Sequence, residues 1–479
     1  MVHDMSYTAF PDDPNHQHER KAGHILQIAQ TSRGMPECGF WPAGCHRECC
    51  MDTGPGSARI LMRRFCFRIT VLSLIAAALN AQAQTRTDEI AAARDQKAGS
   101  LQQESVSGFE NLMLQVKQRK VLERITTGFN GVRVQIGDMA TGSGFSVGPE
   151  FFREDILDGQ LLINASAAIS TSAWQKYQFG VTVPHLAGDR LVLRIEAIRR
   201  DYRALEFYGE GNDTSLDSRT DYRLVDTSLE GAAGIRLTKR IRFGGRLGGL
   251  WPDIQEGNNS ELPGIETVFD DSSAPGLDNQ ANFLRASLFG QIDYRDDPAG
   301  PKSGGNYVAE YTWHHDRSLG EFSFDRLDID VQQYIPFFNK SRRLALRARF
   351  TMTDADAGQR VPFYLLPFVG GSDDLRGFRP YRFTGPNAVV YNAEYRWEIF
   401  SGLDGALFFD AAKIMTHPGH LGLGSMEASP GFGFRFNIKN RTFMRLDAGF
   451  SHEGAAVWLK FNDPFLPLLF GAGTRQPLY

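Results

Sequence analysis

From about Thr127 onward the side chains alternate with a period of two. Between Arg343 and Met352, Leu344, Leu346, Ala348, Phe350 and Met352 share one face, while Arg343, Arg347 and Arg349 share the other. Val389, Tyr391, Ala393, Tyr395, Trp397 and Ile399 likewise alternate with Asn392, Glu394, Arg396 and Glu398, and Met444, Leu446, Ala448 and Phe450 with Arg445 and Asp447. Such segments commonly run about 10 to 14 residues, longer than the usual soluble strand and long enough to cross a hydrocarbon layer at a tilt. About 16 candidate strands fit between Thr127 and Phe465, an even number, as single-chain bacterial barrels have. The pattern therefore predicts an all-β fold, a transmembrane antiparallel β-barrel of about 16 strands with a short N-terminal helical segment.

The connections test that reading. Those near Tyr202 to Thr220, Trp251 to Gln280, Asp354 to Gly385 and Thr416 to Met426 are long; those near His185 to Asp189, Thr238, Phe337 to Ser341, Gly402 and Lys439 to Asn440 are short. They largely alternate, the first loop at Ala140 to Ser143 being the poorest fit. Long extracellular loops and short periplasmic turns are what a barrel without open edges in lipid requires.

Upstream, residues 84–126 read as a periplasmic helical segment. Asp88 to Ile125 has no proline, and Phe109, Leu112, Met113, Val116, Val121, Leu122 and Ile125 recur at helical intervals. It serves either as a leader or as an amphipathic helix on the membrane or at the barrel mouth. Residues 62–83 form a signal peptide: Met62, Arg63, Arg64 and Arg68, then the apolar run Ile69 to Leu79, then Ala81-Gln82-Ala83, with cleavage expected before Gln84. The run is too short for a membrane-spanning helix. A signal works only at a chain start, so translation is expected to begin at Met62, with residues 1–61 a mis-annotated leader. All five cysteines, Cys38, Cys45, Cys49, Cys50 and Cys66, precede that cleavage point and lack paired C-x-x-C spacing. A cysteine-free exported chain suits an oxidising envelope.

Composition adds less. A 42% hydrophobic share, 23% charged residues and a net charge of −4 give no nucleic-acid footprint. The 49 glycines and 35 phenylalanines fit tight turns and aromatic anchors.

Four stretches carry a family likeness. LRGF at Leu375 to Phe378, within GGSDDLRGFRPYRFTG, resembles the inward-folded loop signature of the BamA/TamA-type outer-membrane assembly barrels, the bacterial surface antigen superfamily. YGEGNDTS at Tyr208 to Ser215 is similar to that superfamily's third extracellular loop, DYRDDPAGPKSGG at Asp293 to Gly305 to its strand end and periplasmic turn, and FFDAAKI at Phe408 to Ile414 to its F-x-D-x-G strand. The resemblance spans about Thr127 to Phe465, and four motifs in the right order are specific. It implies that the loop enters the lumen, where Arg376 meets Asp410 and Glu394 while Gly377 allows the turn and Phe378 completes the signature. A guanidinium that forks onto carboxylates suits that role. The competing reading is a solvated loop with surface ion pairs worth about 0–1 kcal/mol each. Ala412 stands where the family pattern has glycine, which predicts a looser approach of loop to wall. The segment His452 to Leu459 fits the family's last-strand targeting pattern, with Gly454, Val457 and Leu459 in place and the strand expected to close at Phe465. Residues 466–479 then form a C-terminal tail.

Members usually carry periplasmic POTRA receptor modules, and residues 84–126 show none of the strands one requires. The resemblance implies an integral outer-membrane barrel that inserts or translocates an unfolded outer-membrane or secreted client protein, or lipid, with outer-membrane lipid as its surroundings. A passive channel or surface-exposed structural barrel is the alternative, with Arg326, Asp328 and Asp330 tuning ion selectivity. For an enzyme, His185, His314, His315, His417, His420 and His452 are candidate bases, but none stands in a recognisable nucleophile–base pairing, and no catalytic residue is assigned. Asp354 to Gly358 lacks the twelve-residue calcium pattern, so no metal ligand is assigned either. No Gly-rich phosphate cradle opens a helix, and no cofactor is expected.

Overall fold

The computed structural model describes residues 92–96, 129–137, 139–338, 341–417, 424–438 and 441–465. The expected signal peptide, most of the expected helical segment and the tail 466–479 lie outside the described residues. Residues 92–96 are helical. The chain divides into two units, Met1–Glu104 and Ser105–Tyr479, and the barrel belongs to the second.

Period-two alternation becomes one 16-stranded antiparallel sheet. Its strands are β1 (Val132–Ile136), β2 (Ser146–Ile156), β3 (Leu161–Ser170), β4 (Gln175–Leu186), β5 (Leu191–Phe207), β6 (Thr220–Arg236), β7 (Ile241–Glu256), β8 (Phe283–Asp293), β9 (Gly304–Asp316), β10 (Phe324–Phe337) and β11 (Arg342–Ala355). After a two-stranded ribbon, β12 (Phe368–Val369) with β13 (Phe383–Thr384), come β14 (Asn387–Phe400), β15 (Leu403–Met415), β16 (Glu427–Ile438), β17 (Arg441–Ser451) and β18 (Gly454–Lys460). The turns on one rim are short apart from 294–303, whereas 208–219, 257–282 and 356–386 on the other are long. Strands β5 and β6 run 17 residues each, beyond what the hydrocarbon layer needs, and so carry the long loops clear of it. That places the long loops on the extracellular side.

Burial is inverted relative to a water-soluble protein. Arg200, Arg376, Arg396, Arg435 and Arg445 are among the largest fully buried side chains, while Ile195, Leu247, Leu288, Phe409 and Val457 are exposed. The faces follow the alternation: Arg343, Arg347 and Arg349 point into the lumen and are buried, as are Arg445 and Asp447. Only a hydrocarbon solvent makes that sorting favourable, since a charge facing lipid is costly and an apolar side chain is not.

The extracellular end is closed by an apolar cluster. Phe207, Tyr222, Ile265, Phe283, Phe324, Phe363, Tyr364 and Tyr381 pack together under the loops. Loop 208–219 is tied onto loop 356–386: Gly211 N donates to Thr384 O at 2.8 Å, and Arg382 Nη1 donates to Thr214 Oγ1 at 2.7 Å.

Among the described residues the ladder runs from β1 to β18 without a β1–β18 pairing. The two ends meet instead through side chains. Phe461 stacks edge-on against Phe145 with centroids 5.4 Å apart, and a Cβ on Gly137 would lie 3.2 Å from that of Phe461. The last strand also ends earlier than its pattern suggested, at Lys460 rather than Phe465. Asp463 and Pro464 turn the chain into the lumen: Asp463 meets Arg396 Nη1 at 2.7 Å, the Pro464 carbonyl accepts from Arg347 Nη1 at 3.1 Å, and Phe465 is buried with Tyr334 and Ala345.

Candidate functional site

The site grows from loop 356–386, whose tip folds into the lumen rather than outward. Its backbone turns at Gly370 and Gly371, with φ of +122° and +92°, in the region glycine alone adopts cheaply. Leu375, Phe378 and Phe383 are then buried with Val390, Ala412 and Ile414 of β14 and β15. Ala412 sits inside this cluster, fully buried, so the loop closes on the wall there despite the missing glycine. Phe378 packs against Phe383 with centroids 5.4 Å apart.

This apolar seat sets the Arg376 guanidinium among carboxylates. Nε and Nη2 donate to the two oxygens of Asp410, each at 2.8 Å, and Nη1 donates to Glu394 Oε1 at 2.7 Å. The Arg376 amide also donates to Asp410 Oδ2 at 3.2 Å, and the guanidinium lies 3.4 Å above the Phe408 ring. Burial disfavours the charged form of Arg376; the carboxylates of Asp410, Glu394 and Asp447 outweigh it and hold the group above its ordinary value.

Gly377 has no positive φ, so its role is not the sharp turn expected of it. Its need is space: a Cβ there would lie 2.5 Å from the Phe450 carbonyl oxygen and 2.6 Å from Ser429 Oγ. Gly449 meets it from the wall side, where a Cβ would lie 2.5 Å from the Arg376 carbonyl carbon. Two glycines thus let loop backbone touch strand backbone.

Pattern reading missed most of the surrounding network. Arg435 bonds Glu394 and, at 2.5 Å, Asp447; Arg396 bonds Glu394 and Asp463; Arg445 bonds Asp447 at 2.6 Å, the Ser372 carbonyl at 2.8 Å and Asp373. Arg349 pairs with Asp374 at 2.6 Å. The signal was present as charges two apart on polar faces, Glu394-x-Arg396 and Arg445-x-Asp447, but which of them meet depends on how deep the loop enters. The cluster can hold charge and geometry; it contains no nucleophile–base pair.

It also reaches the last strand. Trp458 Nε1 donates to the Arg376 carbonyl at 2.7 Å, and Ser451 Oγ to the Gly377 carbonyl at 2.8 Å. Of the last-strand residues singled out by pattern, Gly454 opens β18, Val457 and Leu459 face outward, exposed, and Phe465 lies apart from them inside the lumen.

A lipid-facing barrel with an ion-paired loop tip in its lumen defines a class of outer-membrane protein. Residues 160–450 match the Omp85 superfamily domain, and the chain belongs to the Omp85 superfamily. Membership carries a transport or assembly role rather than an enzymatic one. Among solved structures, the chain is similar to BamA from Haemophilus ducreyi lacking POTRA domains 1-3, at 15% identity and a TM-score of 0.51 over 69% of each chain. CdiB from Escherichia coli, at 12% identity and a TM-score of 0.49, aligns over 69% of this chain and 62% of its own.

Proposed function

We propose that this barrel inserts or translocates polypeptide clients by opening at the β1–β18 seam, with the Arg376 cluster as a structural lock on the loop beside that seam. The observation that carries the reading is the Trp458–Arg376 hydrogen bond. It ties a fully buried ion-pair network in the lumen to a last strand that, among the described residues, pairs with β17 alone. An unpaired strand edge is a template for an incoming strand, and a barrel otherwise abolishes such edges. Superfamily membership supports a polypeptide-handling role. Arg376, Gly377, Phe378, Glu394 and Asp410 act by position, not by bond chemistry.

The passive-channel reading is less well supported. Aromatic packing under the loops obstructs the extracellular mouth, and the lumen charges offered as ion-selective sit in pairs, Arg326 with Asp328 at 2.9 Å and Arg347 with Asp330 at 2.5 Å. The test is reconstitution of the chain from Gln84 into liposomes with an unfolded barrel client. Faster client insertion by the parent, lost in Arg376→Ala, supports the proposal; no acceleration together with a steady open conductance favours the channel.

A further inference from the structure

The outer wall carries a groove that neither the lock nor the seam explains. It has a volume of about 580 Å³ and opens on the lipid-facing side of β2 to β6. Register explains its shape. Phe151 of β2 pairs with Ala165 of β3, Ala165 with Phe179 of β4, and Phe179 with Ala197 of β5. One step toward the extracellular rim, Ala167 pairs with Tyr177, and Tyr177 with Arg199. Alanines on one strand between aromatics on its two neighbours leave an apolar trench whose walls stand about 10 Å apart, two strand spacings. That is room for hydrocarbon chain.

The extracellular end of the trench is cationic. Outward positions on β5 change from Leu193, Ile195 and Ala197 to Arg199, Asp201 and Arg203, which marks the edge of the apolar band. Asp201 is held by Arg223, with two bonds of 2.7 Å. Among the described residues no carboxylate forms an ion pair with Arg199 or Arg203. Arg199 donates to the Thr227 hydroxyl at 3.0 Å, and Arg203 Nε lacks a hydrogen-bond partner. Arg203 and Arg199 also act on the Asp201 carboxylate from further away, so three guanidiniums share it and leave an excess of positive charge where the apolar trench meets the headgroup layer.

We propose that this groove is a binding site for the phosphorylated glycolipid of the outer leaflet, one acyl chain lying along Ala165 and Ala167 between the aromatic walls and a phosphate held by Arg199 and Arg203 beyond Tyr177. The outer leaflet follows from position, because the charged end lies on the long-loop side. A phosphate follows from the donors, since arginine forks match its oxygens. The site lies in strands next to the seam, so an ordered lipid there would stiffen the wall against which β1 moves.

The test is native mass spectrometry of the full chain released from nanodiscs doped with lipid A or, separately, with phosphatidylglycerol. The parent is expected to retain one lipid A per barrel. Retention should fall about tenfold in Arg199→Gln/Arg203→Gln, as loss of charge-assisted contacts predicts, and similarly in Ala165→Trp/Ala167→Trp. Ala348→Trp, on the outer face of β11, should leave retention unchanged. If the tryptophan pair fails to fold, the arginine pair, with Arg199 exposed and Arg203 half-buried at the rim, decides alone. Equal retention of lipid A by the arginine variant and the parent, or equal retention of phosphatidylglycerol and lipid A, overturns the assignment.

Discussion

The wall formed by β14 to β17 and the seam between β1 and β18 are built by opposite means. On the wall, Glu394, Asp410 and Asp447 are fully buried, and every one is bonded to a guanidinium. At the seam, strands of 5 and 7 residues meet through Phe145, Gly137 and Phe461. Buried ion pairs are costly to break one partner at a time, whereas a short contact between side chains is not. The difference teaches where this barrel can move: strain applied to it is expected to yield at the seam while the lock stays whole, until the lock itself is cut.

Cutting the lock should give the largest effect. Arg376→Ala leaves Glu394 and Asp410 buried together without their shared guanidinium, which costs about 3–5 kcal/mol. The variant should unfold at clearly lower temperature in detergent, show noisier conductance and lose protease resistance in loop 356–386. Matching the parent on all three would mean that the cluster locks nothing. A bulky residue at the close approach comes next. Gly377→Val places atoms where the Phe450 carbonyl already sits, 2.5 Å from a Cβ, and should release the loop with the ion pairs chemically intact. If Gly377→Val keeps parental loop protection, backbone contact is not what seats the loop.

Releasing the C-terminal segment sharpens the comparison from the seam side. Phe465→Ala empties a buried site beside Tyr334 and Ala345, a loss of about 3–5 kcal/mol where the site cannot collapse. Its consequence should appear as faster hydrogen exchange in β18 with β14 to β16 unchanged; equal loosening of both would remove the distinction. The smallest change is by acid. Burial raises the Asp373 carboxyl, but Arg445, foremost, with Lys460, more than offsets this and holds it below its ordinary value. A depressed value stabilises above the unfolded pKa, so the contribution is complete above about pH 4 and lost as pH falls below it. Loop protection should therefore weaken below that pH in the parent and less so in Asp373→Asn.

Much of the fold was legible because a barrel wall obeys one rule. In β11, Leu344 to Met352 face lipid and Arg343 to Arg349 face the lumen, and two solvents suffice to sort them. The network round Arg376 was legible only where a motif linked distant positions. Arg435 and Arg445 stand directly opposite each other across β16 and β17, a like-charge pairing no sequence rule favours, and become reasonable only when Asp447 lies between them. Gly377 was read for the wrong reason, since a glycine required for contact and one required for φ look the same in sequence. Phe465 was read onto the wall because an apolar residue at the end of an alternating strand suits a lipid face; the turn at Asp463 and Pro464 depends on Arg396 and Arg347, far away in the chain.

The central claim is that clients are handled by opening the seam, and a bond across it tests that most directly. A Cβ at position 137 would lie 3.2 Å from that of Phe461, a few tenths of an ångström inside the usual disulfide span and on a backbone at φ +79°, so Gly137→Cys and Phe461→Cys come within reach of a disulfide at the cost of a small backbone shift, and no native cysteine follows Cys66 to compete. In liposomes the oxidised double variant should fail to accelerate client insertion and regain activity on reduction, with loop protection unchanged throughout. Full activity with the disulfide intact would contradict the account.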